Sequence, residues 1–312
     1  MAQQQVMFCM VASPFKSDDS LDEDALRLHL KRLVDANNGV YLAGGGAGEG
    51  HALTRQELRR ICEIGVEVCK GKVPTYCNPR EARSAEEHYL YAKEAAAAGV
   101  DVVQLYQLEG GHGMRPTPEE QDAYWFELLD ALRYPVALSI HAYAGFYPSA
   151  DYLRRLKDTY PQIVALNLIA TPSAYLTEVR DAMPADVAIY IHISTVVQGL
   201  ALGAAGALQT ESNLIPNTCR RLLDQWASAD IAGMQETAQQ IQRLSNVVSE
   251  WAPSTARWVK MGMRVLDLPG GQGPLRKPYL MPDSAAQRKM ADAFEAIGVR
   301  DWEPLPMAGA LR

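Results

Sequence analysis

Four of the six histidines in this chain, His51, His112, His141 and His192, fall at or just beyond the ends of short apolar runs, whereas His29 and His88 lie inside helical patterns. Imidazole at such an end can give and take a proton near neutral pH or ligate a metal, although a lone histidine is more often a hydrogen-bonded structural residue. Strand side chains alternate with a period of two, so Ser139 and His141 share one face, as do Tyr190 and His192, and Gln104 and Tyr106. Asn167 closes a further run, IVALN. Residues 44–51, GGGAGEGH, offer backbone N–H groups uncovered by side chains, a cradle for a carboxylate or phosphate. The same glycines would also serve a tight turn, and no lysine of a nucleoside-triphosphate loop is present. His141, His192 and Glu49 have the ligand types for a metal, but no local pattern such as HExxH supports one, so neither a metal nor a cofactor is assigned.

These residues need elements to hold them. Apolar, β-rich runs recur at 6–12, 40–43, 73–77, 102–106, 136–141, 163–167, 187–192 and 206–209, eight in all. Capping-box pairs open helices between them: Ser20/Glu23, Thr54/Glu57, Ser84/Glu87 and Thr117/Glu120, the last with Pro118 at the first helical position. Leu58, Ile61, Cys62, Gly65, Val68 and Cys69 form one buried helical stripe. Eight βα units predict an α/β fold, a (β/α)8 TIM barrel whose active site lies at the C-terminal ends of the strands. A doubly wound open sheet is the structural runner-up, but no GxGxxG opens a helix. After the eighth run the pattern is helical only, at 214–228, 231–251, 254–266 and 284–297, with a Gly/Pro-rich loop at 268–283. Residues 1–213 are expected to form the barrel core, and 214–312 its closing helix and a C-terminal helical extension.

The net charge of -7 in 312 residues argues against nucleic acid or an anionic membrane as partner. No apolar run is long enough for a membrane span and the N-terminus lacks a basic signal region, so a cytoplasmic protein with a small-molecule ligand is expected. Five cysteines without CxxC spacing read as buried thiols.

Several short motifs keep the order and spacing of one family. They are Ala12-Ser13-Pro14-Phe15-Lys16 with Asp18, Ser20 and Asp22; residues 45–50 with Leu53 and Thr54; Arg115-Pro116-Thr117; Leu202-Gly203-Ala204-Ala205-Gly206 through Asn213-Leu214-Ile215-Pro216; and Val259-Lys260. Together they resemble the dihydrodipicolinate synthase/N-acetylneuraminate lyase family over nearly the whole chain. The resemblance implies a homo-oligomer, dimer or tetramer, and lyase chemistry. In that family a lysine ending the sixth strand forms a Schiff base with a 2-oxo acid such as pyruvate, and a tyrosine on the fifth relays protons. Asn167 falls where the lysine belongs, and an amide cannot form an imine. The tyrosine's place falls on Ser139, the two threonines of the family's GTTGE loop on Gly46 and Ala47, and an arginine on Phe146.

Losing all of these together removes the family mechanism, yet polar residues still fill the barrel mouth. The first reading is therefore a lyase of aldolase, hydratase or dehydratase type, without a Schiff base, acting on a small oxygenated, anionic metabolite. His141, His192 and Asn167 are its catalytic candidates. Gly46, Ala47, Gly48, Glu49, Ser139, Tyr106 and His112 are its substrate-binding candidates. In this reading the histidines exchange protons, while Asn167 and the backbone of residues 45–48 hold an oxyanion or carboxylate. A non-catalytic metabolite-binding or regulatory barrel is the second reading. A conventional 2-oxo-acid aldolase using another lysine is the third, with Lys260 the family-matched candidate.

Overall fold

The computed structural model describes residues 5–81, 83–108, 114–251 and 255–305. Eight parallel strands pair in chain order and close into a barrel: β1 (Val6–Met10), β2 (Gly39–Leu42), β3 (Thr75–Cys77), β4 (Val102–Tyr106), β5 (Val136–His141), β6 (Ile163–Ile169), β7 (Ala188–His192) and β8 (Gly206–Gln209). Between them run α1 (Glu23–Asp35), α2 (Arg55–Cys69), α3 (Ala85–Ala98), α4 (Pro118–Ala131), α5 (Ala150–Thr159), α6 (Ser173–Ala182) and the short α7 (Val196–Ala201). Among the described residues β8 is followed by the α-helices α8 (Pro216–Ala227), α9 (Ile231–Val248), α10 (Thr255–Val265), α11 (Ser284–Ala296) and α12 (Val299–Trp302). The chain is a (β/α)8 barrel with added C-terminal helices. Among the described residues no helix is long and apolar enough to cross a membrane.

Side-chain caps fix where the helices start. Thr54 and Thr117 make reciprocal capping boxes with Glu57 and Glu120, and Ser84 accepts the N–H of Glu87. The first helix differs from the sequence expectation. The Ser20 hydroxyl donates to the nearby Asp18 carboxylate, and Asp22 caps α1 by accepting the N–H of Ala25. A carboxylate directly ahead of the helix displaces the more distant hydroxyl.

Inside the barrel, Ala137, Ala165 and Ala188 stand at one register level on β5, β6 and β7. Their small size leaves room for large rings. Phe8 lies 4.9 Å from Tyr41, 4.6 Å from Tyr76 and 4.9 Å from Tyr190, centroid to centroid, in tilted and edge-on contacts. The seam between β8 and β1 needs Gly206. Its φ is +141° and a Cβ there would fall 1.9 Å from the carbonyl oxygen of Val6. Outside, α8 to α11 pack on β1 and β8 through a second apolar cluster that includes Met7, Ala207, Leu222, Leu244, Val259 and Phe294. Glu303, beyond α12, caps α8 by accepting the N–H groups of Asn217 and Thr218. All five cysteines are buried and unbridged.

Among the described residues three histidines are buried, and burial holds each neutral: His29 at about 3, His88 at about 4 and His141 at about 4, against 6.5 for a free imidazole. The positive charge of Arg32 adds to the effect on His29. Their folded values lie below the unfolded one, so the unfolded chain binds more protons once the pH drops below 6.5. Stability contributed by these groups is complete above pH 7 and is lost on acidification toward 4. Urea midpoints measured from pH 7.5 to about 5 should fall by an amount too large for one proton. A flat profile over that window would contradict the buried, neutral assignment.

Candidate active site

The polar residues of the barrel interior are set by strand register. Ser139 on β5 is paired with Asn167 on β6, and Asn167 with Tyr190 on β7; Tyr106 on β4 is paired with Ser139. All of these face inward by alternation with the alanine level below. Three carboxamides then join across the barrel. Gln104 Nε2 donates to Asn78 Oδ1, and Asn167 Nδ2 donates to Gln104 Oε1 and, at 2.9 Å, to the hydroxyl of Tyr41. Both amide hydrogens of Asn167 are thereby used. Its Oδ1 is buried with no partner among the described residues, and so is the neighbouring Ser139 Oγ. The expected oxyanion-holding role of Asn167 does not fit this geometry, because the atom left over is an acceptor.

The tyrosines beneath are held protonated. Burial raises Tyr41 and Tyr190 well above the usual phenol value and Tyr76 to about 12. Asn78, Tyr41 and Tyr76 were not among the sequence candidates. Asn78 directly follows β3, so the strand-end rule applied to the third run would have found it.

His141 stands two residues beyond Ser139, buried, with its ring 5.5 Å from that of Tyr106. His192 is engaged by the turn that follows β7. Its Nδ1 accepts the N–H of Ser194 at 3.2 Å and bonds the Ser194 hydroxyl at 2.9 Å, so the neutral ring carries its proton on Nε2. The ring lines a cavity of about 280 Å³ between the ends of β6 and β7 and the helices α6 and α7, with Thr171, Ser173 and Gln198 on its polar side. His141 does not line that cavity. His141 is paired with Ile169, and the residue before His192 with Leu168, so Ile169 separates the two histidines and Asn167 lies one layer below. His112 lies outside the described residues.

The glycine-rich loop is a compact turn. Gly50 N–H bonds Gly44 O at 2.9 Å, and a Cβ on Gly50 would fall 2.3 Å from the carbonyl oxygen of Ala43. Ala47 is buried in the second apolar cluster. Among the described residues the backbone N–H groups of Gly46, Ala47 and Gly48 meet no acceptor. No cluster of three His, Cys, Asp or Glu side chains able to hold a metal occurs among the described residues.

Residues 3–297 match the Dihydrodipicolinate synthetase family. The chain belongs to that family. The 4-hydroxy-tetrahydrodipicolinate synthase of Nitratidesulfovibrio vulgaris is 23% identical over 300 residues, covering 95% of this chain and 99% of the relative. That of Rickettsia felis is 26% identical over 291 residues, covering 92% and 95%. Among solved structures, the dihydrodipicolinate synthase of Cyanidioschyzon merolae with lysine bound superposes with a TM-score of 0.83 at 19% identity, covering 96% of this chain and 100% of the other. That of Aquifex aeolicus gives 0.83 at 17% identity, covering 94% and 97%. At these identities the structures establish the shared fold.

In this dihydrodipicolinate synthetase family member, Glu49 departs from the expected substrate-binding role. Its backbone is left-handed, with φ 52°, and its carboxylate turns into the protein. One oxygen pairs with Lys260 Nζ and the other accepts the N–H of Arg276 at 2.7 Å. Both Glu49 and Lys260 are fully buried. Lys260 also donates to Pro274 O at 3.0 Å and sits 4.3 Å from the centre of the Phe15 ring; the Arg276 guanidinium lies 4.1 Å from the same ring. Burial lowers the pKa of Lys260, and Glu49 opposes that shift. The lysine considered for a conventional aldolase is thus committed to clamping the glycine loop to α10 and the 268–283 segment. Replacing it alone, Lys260→Met, should leave the Glu49 carboxylate buried and uncompensated and cost about 3–5 kcal/mol in urea unfolding. The double variant Glu49→Leu/Lys260→Met should recover most of the loss. A single-variant loss below about 1 kcal/mol would show that the pair is solvated.

Proposed function

We propose that this chain is a lyase of the dihydrodipicolinate synthetase family that works without a lysine Schiff base on a small, oxygenated, anionic metabolite. The observation that carries this reading is the buried imidazole of His141, placed beside Tyr106 and one step above Ser139 Oγ and Asn167 Oδ1, two buried oxygens without a partner among the described residues. A ring held near 4 by burial is unprotonated at neutral pH, the form in which an imidazole accepts a proton from a substrate hydroxyl or carbon acid. The N–H groups of residues 46–48 suit a carboxylate. Asn167 stands where the resemblance expects the imine-forming lysine, and an amide nitrogen is not nucleophilic.

The assembly is part of the proposal: a homodimer or homotetramer, as the family resemblance implies. Light scattering that gives a single-chain mass at micromolar concentration would contradict it.

Borohydride reduction in the presence of pyruvate, followed by intact-mass measurement, should leave the protein unmodified. A stable pyruvyl adduct would restore the conventional aldolase. Once a substrate is found among short hydroxy acids, by following product formation with NMR, His141→Asn should lower turnover by roughly two orders of magnitude with little change in unfolding midpoint. Unchanged turnover with a large stability loss would make His141 a structural residue.

A further inference from the structure

We propose that the ligand of this site is a small acid bearing two adjacent hydroxyl groups, recognised by Asn167 Oδ1 and Ser139 Oγ, and not a 2-oxo acid. The inference takes only the location of the site from the lyase reading above. Its ground is the direction of the amide chain. Each carboxamide has one acceptor and one N–H₂ group, so the bonds Gln104 to Asn78 and Asn167 to Gln104 all point the same way. The Tyr41 hydroxyl takes the second hydrogen of Asn167. The chain therefore ends on a bare carbonyl oxygen, which accepts a hydrogen bond but cannot donate one.

A keto oxygen or carboxylate placed against that atom would meet another acceptor. A hydroxyl would satisfy it. Ser139, its register partner on β5, carries a second buried oxygen without a partner, and its hydroxyl can accept or donate. Neighbouring strands stand about 4.8 Å apart, which suits two oxygens on adjacent carbons, one for each side chain. Neither atom reaches bulk solvent, so leaving them empty is unfavourable and a ligand that fills both is selected strongly. Tyr106 is the register partner of Ser139 on β4, and the His141 ring lies 5.5 Å from the Tyr106 ring in the layer above.

Three-carbon acids test the idea directly. D-Glycerate has two adjacent hydroxyls, D-lactate has one, and pyruvate has a keto oxygen in their place. Ligand-observed NMR titration should rank them glycerate, lactate, pyruvate, with roughly tenfold between successive members. In Ser139→Ala the advantage of glycerate over lactate should disappear while lactate still outranks pyruvate. In Asn167→Leu the preference for lactate over pyruvate should be lost; because that variant also removes partners of Tyr41 and Gln104, Ser139→Ala alone suffices if it does not fold. Pyruvate binding tightest would mean that the amide chain runs the other way, with an N–H outward, and would overturn the proposal. Equal affinities, or no glycerate binding at 50-fold the concentration of protein up to about 50 mM, would overturn it too, leaving the two oxygens to trapped water. Intact ranking without any lyase turnover would sink the catalytic reading alone. Turnover of a compound that has no hydroxyl would sink this inference alone.

Discussion

A closed barrel filled with rings has no water to spare for a buried amide, and that constraint organises the interior of this protein. Asn78, Gln104 and Asn167 lie on three different strands or strand ends, and each satisfies the next. The chain they form is anchored on Tyr41, whose ring packs edge-on against Phe8 and Tyr76. The alanines on β5, β6 and β7 make space for those rings, so the polar chain depends on the smallest side chains in the barrel as much as on its own hydrogen bonds. Because the amides point one way, their direction decides what the barrel offers to a ligand. Here it offers acceptors, with a neutral imidazole above them.

The rim is held by a different device. Glu49, Lys260 and Arg276 bring together the loop after β2, the helix α10 and the 268–283 segment, with both cations against the Phe15 ring. Such a pair is costly to desolvate and is tolerable only because the carboxylate has an ammonium, a backbone N–H and a nearby guanidinium around it. The added helices therefore bear on the loop after β2, since they hold the turn that carries the N–H groups of residues 46–48. Loss of that clamp would disturb the site without touching any residue that meets a ligand.

The fold was legible in the sequence because each βα unit carries its own punctuation. Apolar runs of strand length, the Thr54 and Thr117 capping boxes and the Gly/Pro-rich 268–283 loop all fell within a few residues of the observed elements. The inward placement of Ser139 and Asn167 followed from strand periodicity and the family resemblance. Glu49 was misread because its role depends on Lys260, more than two hundred positions away, and only tertiary packing brings them together. The local bonds of His192 were not foreseen, because they come from the turn immediately after β7, which offers it the N–H and hydroxyl of Ser194. The direction of the amide chain could not be read at all, because one-dimensional spacing says nothing of which end of a carboxamide meets its neighbour.

That direction is the central claim, and neutron diffraction from deuterated crystals measures it by locating the deuterium atoms. The account predicts both deuterons of the Asn167 amide on the lines to Tyr41 and Gln104, no deuteron of its own on the opposite oxygen, and the Gln104 amide deuterons toward Asn78. A deuteron of Asn167 directed into the mouth, with its oxygen turned to Gln104, would contradict the account and make the site one for a keto oxygen or carboxylate.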